Sequence, residues 1–199
     1  MKIFIAALAA AFVMVVPVPA LAGQVTPPPV PDAIKVETGN VPYLVGHAIG
    51  TQNYICLPAA SGVAFKLFTP QATLFDDKGK QITTHFFSPN PDQQGTIRAT
   101  WQDSEDTSTV WGEVKDGDAS SDANFVAPGA IPWLLVTADG AQDGPTGDNT
   151  LSQATFIQRV NTAGGIAPST GCASSADIGK PAFVPYTADY FFFRKADRK

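Results

Sequence analysis

Residues 43–56 read YLVGHAIGTQNYIC, and their first half alternates large and small side chains in the way that is typical of a β-strand. Tyr43, Val45, His47 and Ile49 fall on one side of this strand, and glycine or alanine falls on the other. After Gly50 the large residues change sides, which predicts a β-bulge near that glycine. The larger side chains predict the buried face, so we expect His47 to be a buried structural histidine.

The rest of the chain consists of short apolar segments between turn residues. The chain contains 17 glycines and 17 prolines, and the run from Asp76 to Gly79 has the composition of a hairpin turn. Further strands are predicted at residues 63–68, 72–75, 80–87, 96–101, 107–114, 131–137 and 186–194. Residues 151–160 fit either a strand or about three turns of helix. This pattern predicts an all-β fold over residues 36–195, a single-domain antiparallel β-sandwich or barrel with long irregular loops.

The amino terminus has the three parts of a cleavable signal peptide. Lys2 precedes an uncharged apolar run over residues 3–18, and Ala20-Leu21-Ala22 has the small-x-small pattern of a cleavage site. A transmembrane anchor, the alternative, requires about 20 apolar residues without a breaker, and this run is shorter and contains prolines. We therefore predict a signal peptide over residues 1–22 and a secreted or periplasmic location.

Two flanking segments complete the predicted organisation. Residues 23–35 are rich in proline, which predicts an extended, poorly ordered leader before the domain. Residues 196–199 end the chain as a basic, solvated tail.

The charge of the chain excludes two classes of partner. Its formal net charge is −5, and an acidic surface repels nucleic acid and anionic lipid. We therefore expect no nucleic acid partner and no membrane insertion after cleavage. A small molecule or a glycan is the expected ligand, and the oligomeric state stays open.

Cys56 and Cys172 are the two cysteines of the chain. In an oxidising compartment an even number of cysteines most simply forms disulfides. We expect one disulfide between them rather than a metal or redox site, because the chain has no C-x-x-C motif.

Motifs of the common enzyme classes are absent from the sequence. There is no G-x-S-x-G, H-E-x-x-H or glycine-rich phosphate loop, so we expect no cofactor and no metal. His85 is the stronger of the two histidines as a functional candidate, because it lies at the end of a predicted strand, just before a loop. A structural role for it is the alternative, and no catalytic residue is assigned.

Aromatic and charged residues around His85 define a candidate pocket. Trp101 and Trp111 flank a polar hairpin loop, and a tryptophan there can stack on a flat ligand or be buried in the core. Asp76 and Arg159 are the charged groups that would help a site near His85. The candidate pocket therefore consists of His85, Asp76, Arg159, Trp101 and Trp111.

Several segments form a recognisable set: GTQNYIC at 50–56, ATLFD at 72–76, HF at 85–86, IPWLL at 131–135, IQRVNT at 157–162, GC at 171–172 and YTADYFF at 186–192. Together they resemble a secreted domain of unknown function that occurs in bacteria and filamentous fungi. The resemblance implies a signal peptide, a β-rich fold and paired cysteines. It implies no activity.

Two functions remain after these observations. The first is a binding or cell-envelope module that uses a compact β-fold to hold a small molecule, a glycan or a partner. The alternative is a secreted enzyme with an unusual site near His85. A cavity that brings together His85, Arg159 or a carboxylate, and a tryptophan would favour ligand binding or catalysis over a purely structural role.

Overall fold

The computed structural model describes residues 25–197, and the predicted signal peptide therefore lies outside the described residues. Within them the chain is all-β, with three single turns of 3-10 helix at Asp32–Ile34, Pro91–Gln93 and Ser175–Asp177. The nine strands are β1 (Asn40–Ala59), β2 (Gly62–Phe75), β3 (Gln81–Asn90), β4 (Thr96–Asp103), β5 (Thr109–Glu113), β6 (Ala119–Ser120), β7 (Trp133–Gln142), β8 (Phe156–Gly164) and β9 (Pro181–Lys195). The ambiguous segment 151–160 becomes a turn followed by the start of β8.

Eight of these strands form a closed antiparallel barrel, so of the two predicted architectures the barrel is confirmed. The strands follow one another in the order β5, β4, β3, β2, β1, β9, β8, β7. Antiparallel pairing of β5 with β7, from Thr109 opposite Gln142 to Glu113 opposite Thr137, closes the ring. The two-residue strand β6 pairs with the start of β7. Closure gives each barrel strand a partner on both sides, so none of the eight has an open edge.

The interior of the barrel is filled by large side chains from some strands and small ones from others. Trp101 on β4 and Tyr190 and Phe192 on β9 are almost fully buried in the inner cluster. Opposite them, β1 presents glycine and alanine: a Cβ on Gly46 would lie 2.9 Å from the Leu74 side chain. The inward face of β1 is therefore the face with the small residues.

This arrangement reverses the expectation for His47, which is not a buried residue. Its side chain is 43% exposed and lies on the outer surface, because its neighbours Gly46 and Ala48 take the inner positions. The bulge in β1 also differs from the prediction, since the register between β1 and β2 shifts between Asn53 and Tyr54 rather than at Gly50.

A second apolar cluster lies on the outer face of β7, β8 and β9. Trp133, Phe156, Val160 and Phe191 belong to it, because alternate residues of these strands point away from the barrel interior. The predicted leader covers this cluster: Val25, Val30 and Val36 pack against it and Ile34 is fully buried in it. The amide of Gln158 also donates a hydrogen bond of 2.7 Å to the Ile34 carbonyl oxygen. The described part of the leader before the first 3-10 turn has no regular secondary structure and packs against the barrel.

Cys56 and Cys172 form the expected disulfide, with a Cα–Cα distance of 5.5 Å. It joins the end of β1 to the long loop between β8 and β9. Backbone hydrogen bonds accompany it, from Cys56 N–H to the Lys180 carbonyl oxygen and from Gly179 N–H to the Cys56 carbonyl oxygen, both 2.9 Å. Over residues 25–197, none of the helices has the length and hydropathy needed to cross a membrane.

We expect loss of the disulfide to destabilise the barrel strongly. The bond closes a sequence separation of 116 residues, and in the chain-entropy account a loop of that size is worth about 4–5 kcal/mol. Cys56→Ala/Cys172→Ala should lower the free energy of unfolding in urea by an amount of that order. Reductant should destabilise the wild-type protein in the same way and leave the double variant unchanged. A wild-type protein whose unfolding does not respond to reductant would contradict this.

Candidate functional site

A cavity of about 450 Å³ lies inside the barrel, and every strand of the barrel contributes to its wall. Its lining is mostly aliphatic and aromatic. Leu67, Ile97 and Val114 line it and are also 45%, 56% and 42% exposed, so they mark its entrance. The volume falls within the usual range for small-molecule sites, and an apolar cavity with few polar groups is their typical form.

His85 lies in the wall of this cavity and is only 4% exposed. Its ring stacks on the indole of Trp101, with centroids 4.2 Å apart and planes 7° apart. Nδ1–H donates a hydrogen bond of 2.9 Å to the Thr100 carbonyl oxygen, which fixes the tautomer of the neutral ring. Burial lowers the pKa of His85 to about 3, and the positive charge of Arg159 adds to that effect against the opposing hydrogen bond to Thr100. His85 is therefore neutral at physiological pH.

Arg159 projects from β8 into the same cavity and is 9% exposed. One of its terminal nitrogens donates a hydrogen bond of 2.8 Å to the Pro132 carbonyl oxygen, while its Nε is buried without a hydrogen-bond partner. No carboxylate of residues 25–197 forms an ion pair with Arg159. The wall of the cavity thus carries a buried positive charge that the described chain does not neutralise.

Arg98, the other arginine of the wall, has the opposite environment. Its guanidinium pairs with Glu113 at 2.8 Å and with Asp139 at 3.1 Å. Two carboxylates therefore more than offset the charge of Arg98 within the protein, and Glu113, which also lines the cavity, is already engaged.

Two further N–H donors line the cavity or its wall without an acceptor. Nε2 of Gln52 and Nε1 of Trp101 are buried and make no hydrogen bond within the described chain. Burial raises the pKa of the Tyr186 hydroxyl, and the Gln52 amide opposes that rise.

The structure thus brings together three of the five candidate pocket residues, His85, Arg159 and Trp101. Asp76 lies in the turn between β2 and β3, where its carboxylate accepts hydrogen bonds from the backbone N–H groups of Lys80 and Lys78. Trp111 is buried on the outer side of β5 and donates to the Ser88 hydroxyl at 2.9 Å. Neither Asp76 nor Trp111 lines the cavity.

Sequence reasoning did not identify Gln52 or Tyr54 as cavity residues. Gln52 has the same parity along β1 as Gly46 and Ala48, so knowing which face of β1 points inward would have placed it. Tyr54 also lines the cavity, and its hydroxyl donates to the Gly165 carbonyl oxygen at 2.6 Å. The missing information was the inward face, which depends on the partners of β1.

His47 lies in a separate cluster on the outer surface. Nδ1 is 2.6 Å from a carboxylate oxygen of Asp189, and Nε2 is 2.9 Å from one of Asp77. Hydrogen bonds to Asp77 and Asp189 raise the pKa of His47. Within residues 25–197 no group of three or more His, Cys, Asp or Glu side chains has an arrangement that could hold a metal ion.

Comparison with known proteins identifies a family but no activity. A family model described as a protein of unknown function (DUF3455) matches residues 37–194, which contain almost the whole barrel. No curated protein and no solved structure matches the chain. Function must therefore be inferred from the cavity itself.

We expect His85 to make the protein less stable in mild acid. Its pKa is about 3 in the folded state against 6.5 for the free side chain, so between these values the unfolded chain binds a proton that the folded chain does not. The contribution of His85 to the free energy of unfolding is then fully present above about pH 6.5. As the pH is lowered, this contribution falls by up to about 1.4 kcal/mol per pH unit. His85→Asn keeps an N–H for the Thr100 carbonyl and should reduce this slope in urea unfolding between about pH 7 and about pH 4.5.

His47→Asn is the matched control for this measurement. Because the pKa of His47 is raised on folding, its contribution to stability is present at low pH and is lost as the pH rises. Removal of His47 should therefore change the slope in the opposite direction. Equal slopes for the wild-type protein and His85→Asn would contradict the assignment of a buried neutral histidine.

Proposed function

We propose that this chain, which belongs to the DUF3455 family of proteins of unknown function, is a binding protein that holds a small, mainly apolar molecule inside its barrel. The observation that carries the proposal is the cavity of about 450 Å³ with apolar side chains at its entrance. Closed eight-stranded barrels either fill their interior with side chains or hold one small ligand there. In this chain one part of the barrel interior is filled with side chains, and another part is an open cavity.

The filled part of the barrel is built on Trp101, Tyr190 and Phe192, which pack with Leu151 and Ala154 from the segment before β8. The open part is lined by smaller side chains from the facing strands, such as Ala99 and Val136, and reaches the surface at the entrance. A cavity with such a lining favours apolar ligands, because their transfer from water to an apolar surface is favourable by about 25 cal/mol per Å².

The lining also favours a small molecule over the other ligands considered from the sequence. Glycan sites need many hydrogen-bonding groups, whereas this wall is largely aliphatic and aromatic. The enzyme alternative near His85 gains no support, since the partners of the His85 ring are the Thr100 carbonyl, the Trp101 indole and the Tyr190 ring. These contacts are those of a positioned wall residue.

We further propose that the protein acts outside the cytoplasm, in the periplasm or the medium. The disulfide between Cys56 and Cys172 supports this, because such bonds persist in oxidising compartments and are rare in reducing ones. The apolar run and the cleavage pattern that ends at Ala22 provide the corresponding export signal.

Ligand binding can be tested with the neutral apolar dye N-phenyl-1-naphthylamine, whose fluorescence rises in apolar surroundings. We expect saturable binding with one site per barrel. Ala99→Trp places a large ring in the cavity and should weaken binding at least about tenfold, equivalent to about 1.4 kcal/mol. Ala141→Trp is the matched control, because residue 141 is exposed and does not line the cavity.

Leu134→Trp is a second cavity-filling variant, from another strand, in case Ala99→Trp does not fold. Far-UV circular dichroism and thermal unfolding will show which variants keep the native fold. Unchanged dye affinity in a folded cavity-filling variant would refute binding inside the barrel.

The export signal can be tested by expressing the full chain in a bacterial host and measuring the intact mass of the extracellular or periplasmic protein. We expect a mature protein that begins at Gly23. Ala22→Glu should block processing and leave the longer precursor, since signal peptidases require a small residue at that position. Ala33→Glu, a substitution at an exposed position beyond the cleavage site, should be processed normally. Recovery of the unprocessed wild-type chain in the cytoplasm would refute export.

A further inference from the structure

The most unusual feature of the cavity is that its wall contains a buried guanidinium without a counter-charge. An arginine side chain keeps its positive charge at all physiological pH values, and an ion that is buried without a partner destabilises a protein. Arg159 is only 9% exposed. Within residues 25–197 its one hydrogen bond is to the Pro132 carbonyl oxygen. The guanidinium is therefore available to a partner that enters the cavity.

We propose that Arg159 binds the carboxylate of the ligand, so that the cavity selects an apolar monocarboxylate over neutral molecules of the same shape. This inference rests on the proposed function of the cavity and names the chemical class of its ligand. The class has one ionised carboxyl group on an apolar body, which an alkyl or an aromatic acid can supply equally.

Three hydrogen-bond donors on residues that line the cavity have no acceptor in the described part of the chain. Arg159 Nε, Gln52 Nε2 and Trp101 Nε1 are buried donors without an acceptor. An ionised carboxylate is an acceptor-only group with two oxygens, and a guanidinium binds it with two parallel hydrogen bonds. An amide or alcohol of the same size would leave the charge of Arg159 unneutralised.

Arg98, the other arginine that lines the cavity, is paired within the protein. The protein places two carboxylates, Glu113 and Asp139, on that guanidinium. Among residues 25–197 no acidic residue forms an ion pair with Arg159. His85, which lines the same cavity, is neutral and adds no charge of its own. One unpaired positive charge in the wall matches a ligand with one negative charge.

The proposal can be tested by competition between matched acids and amides for the dye site. Octanoate is compared with octanamide as an alkyl pair, and cinnamate with cinnamamide as an aromatic pair. We expect the wild-type protein to bind at least one acid about tenfold or more tightly than its amide, within the range for charge-assisted hydrogen bonds. The acid that binds more tightly identifies the apolar body that the cavity accepts.

Arg159→Gln should abolish the preference, so that each acid and its amide bind equally while the neutral dye still binds. Arg194→Gln is the matched control, because it removes the same charge from a side chain that contacts Tyr43 and Gln153 and does not line the cavity. That variant should keep the full preference. Arg159→Lys retains the charge without the bidentate geometry and should keep part of it.

The outcomes separate this inference from the proposed function. If the dye binds but the wild-type protein does not prefer either acid over its amide, the carboxylate inference is refuted and the binding cavity stands. A preference that survives in folded Arg159→Gln refutes the role of Arg159. If calorimetry and dye fluorescence detect no binding of dye, acid or amide, both proposals fall. The acid–amide comparison uses the wild-type protein, so it does not depend on any variant folding.

Discussion

Large aromatic side chains of β4 and β9 pack inside this barrel against glycine and alanine of β1 and β2. Trp101, Tyr190 and Phe192 occupy the interior, and Gly46, Ala48 and Ala72 leave the space for them. Because a Cβ on Gly50 would lie 2.1 Å from the Gln71 carbonyl oxygen, β1 and β2 could not approach as they do with a larger residue there. Protein interiors tolerate neither voids nor overlap, so this pairing of large and small residues decides which face of each strand points inward.

The cavity is a consequence of the same packing. The aromatic cluster and the segment before β8 fill one part of the barrel, and the strands continue beyond that cluster with a lining that does not fill the remaining volume. The inward face that includes Gly46 on β1 reaches the cavity wall at Gln52, and the inward face of β8 carries Arg159. The polar groups of the wall are therefore positioned by rigid strands, which hold a binding group more precisely than loops do.

The outer surface of β7, β8 and β9 shows why the region before β1 matters to the fold. These strands are apolar on both faces, as β9 shows with Tyr190 and Phe192 inside and Phe191 and Phe193 in the outer cluster. An outer apolar face of this size requires a cover. The segment with Val30 and Ile34 supplies it, together with Phe125 and Val126 from the connection between β6 and β7.

The sequence alone determined the all-β class, most of the strands, the pairing of Cys56 with Cys172, and His85, Arg159 and Trp101 as candidate pocket residues. These properties depend on local alternation, turn chemistry and composition, which a single segment reveals. The tertiary structure alone decided that the sheet closes through β5 and β7, that His47 points outward, that Gln52 lines the cavity, and that Asp76 and Trp111 do not. Alternation in the sequence indicates that a strand has two faces. Which of these faces points inward depends on the volume of the residues on the neighbouring strands. Those residues are far away in the sequence, and only closure of the barrel brings them into contact.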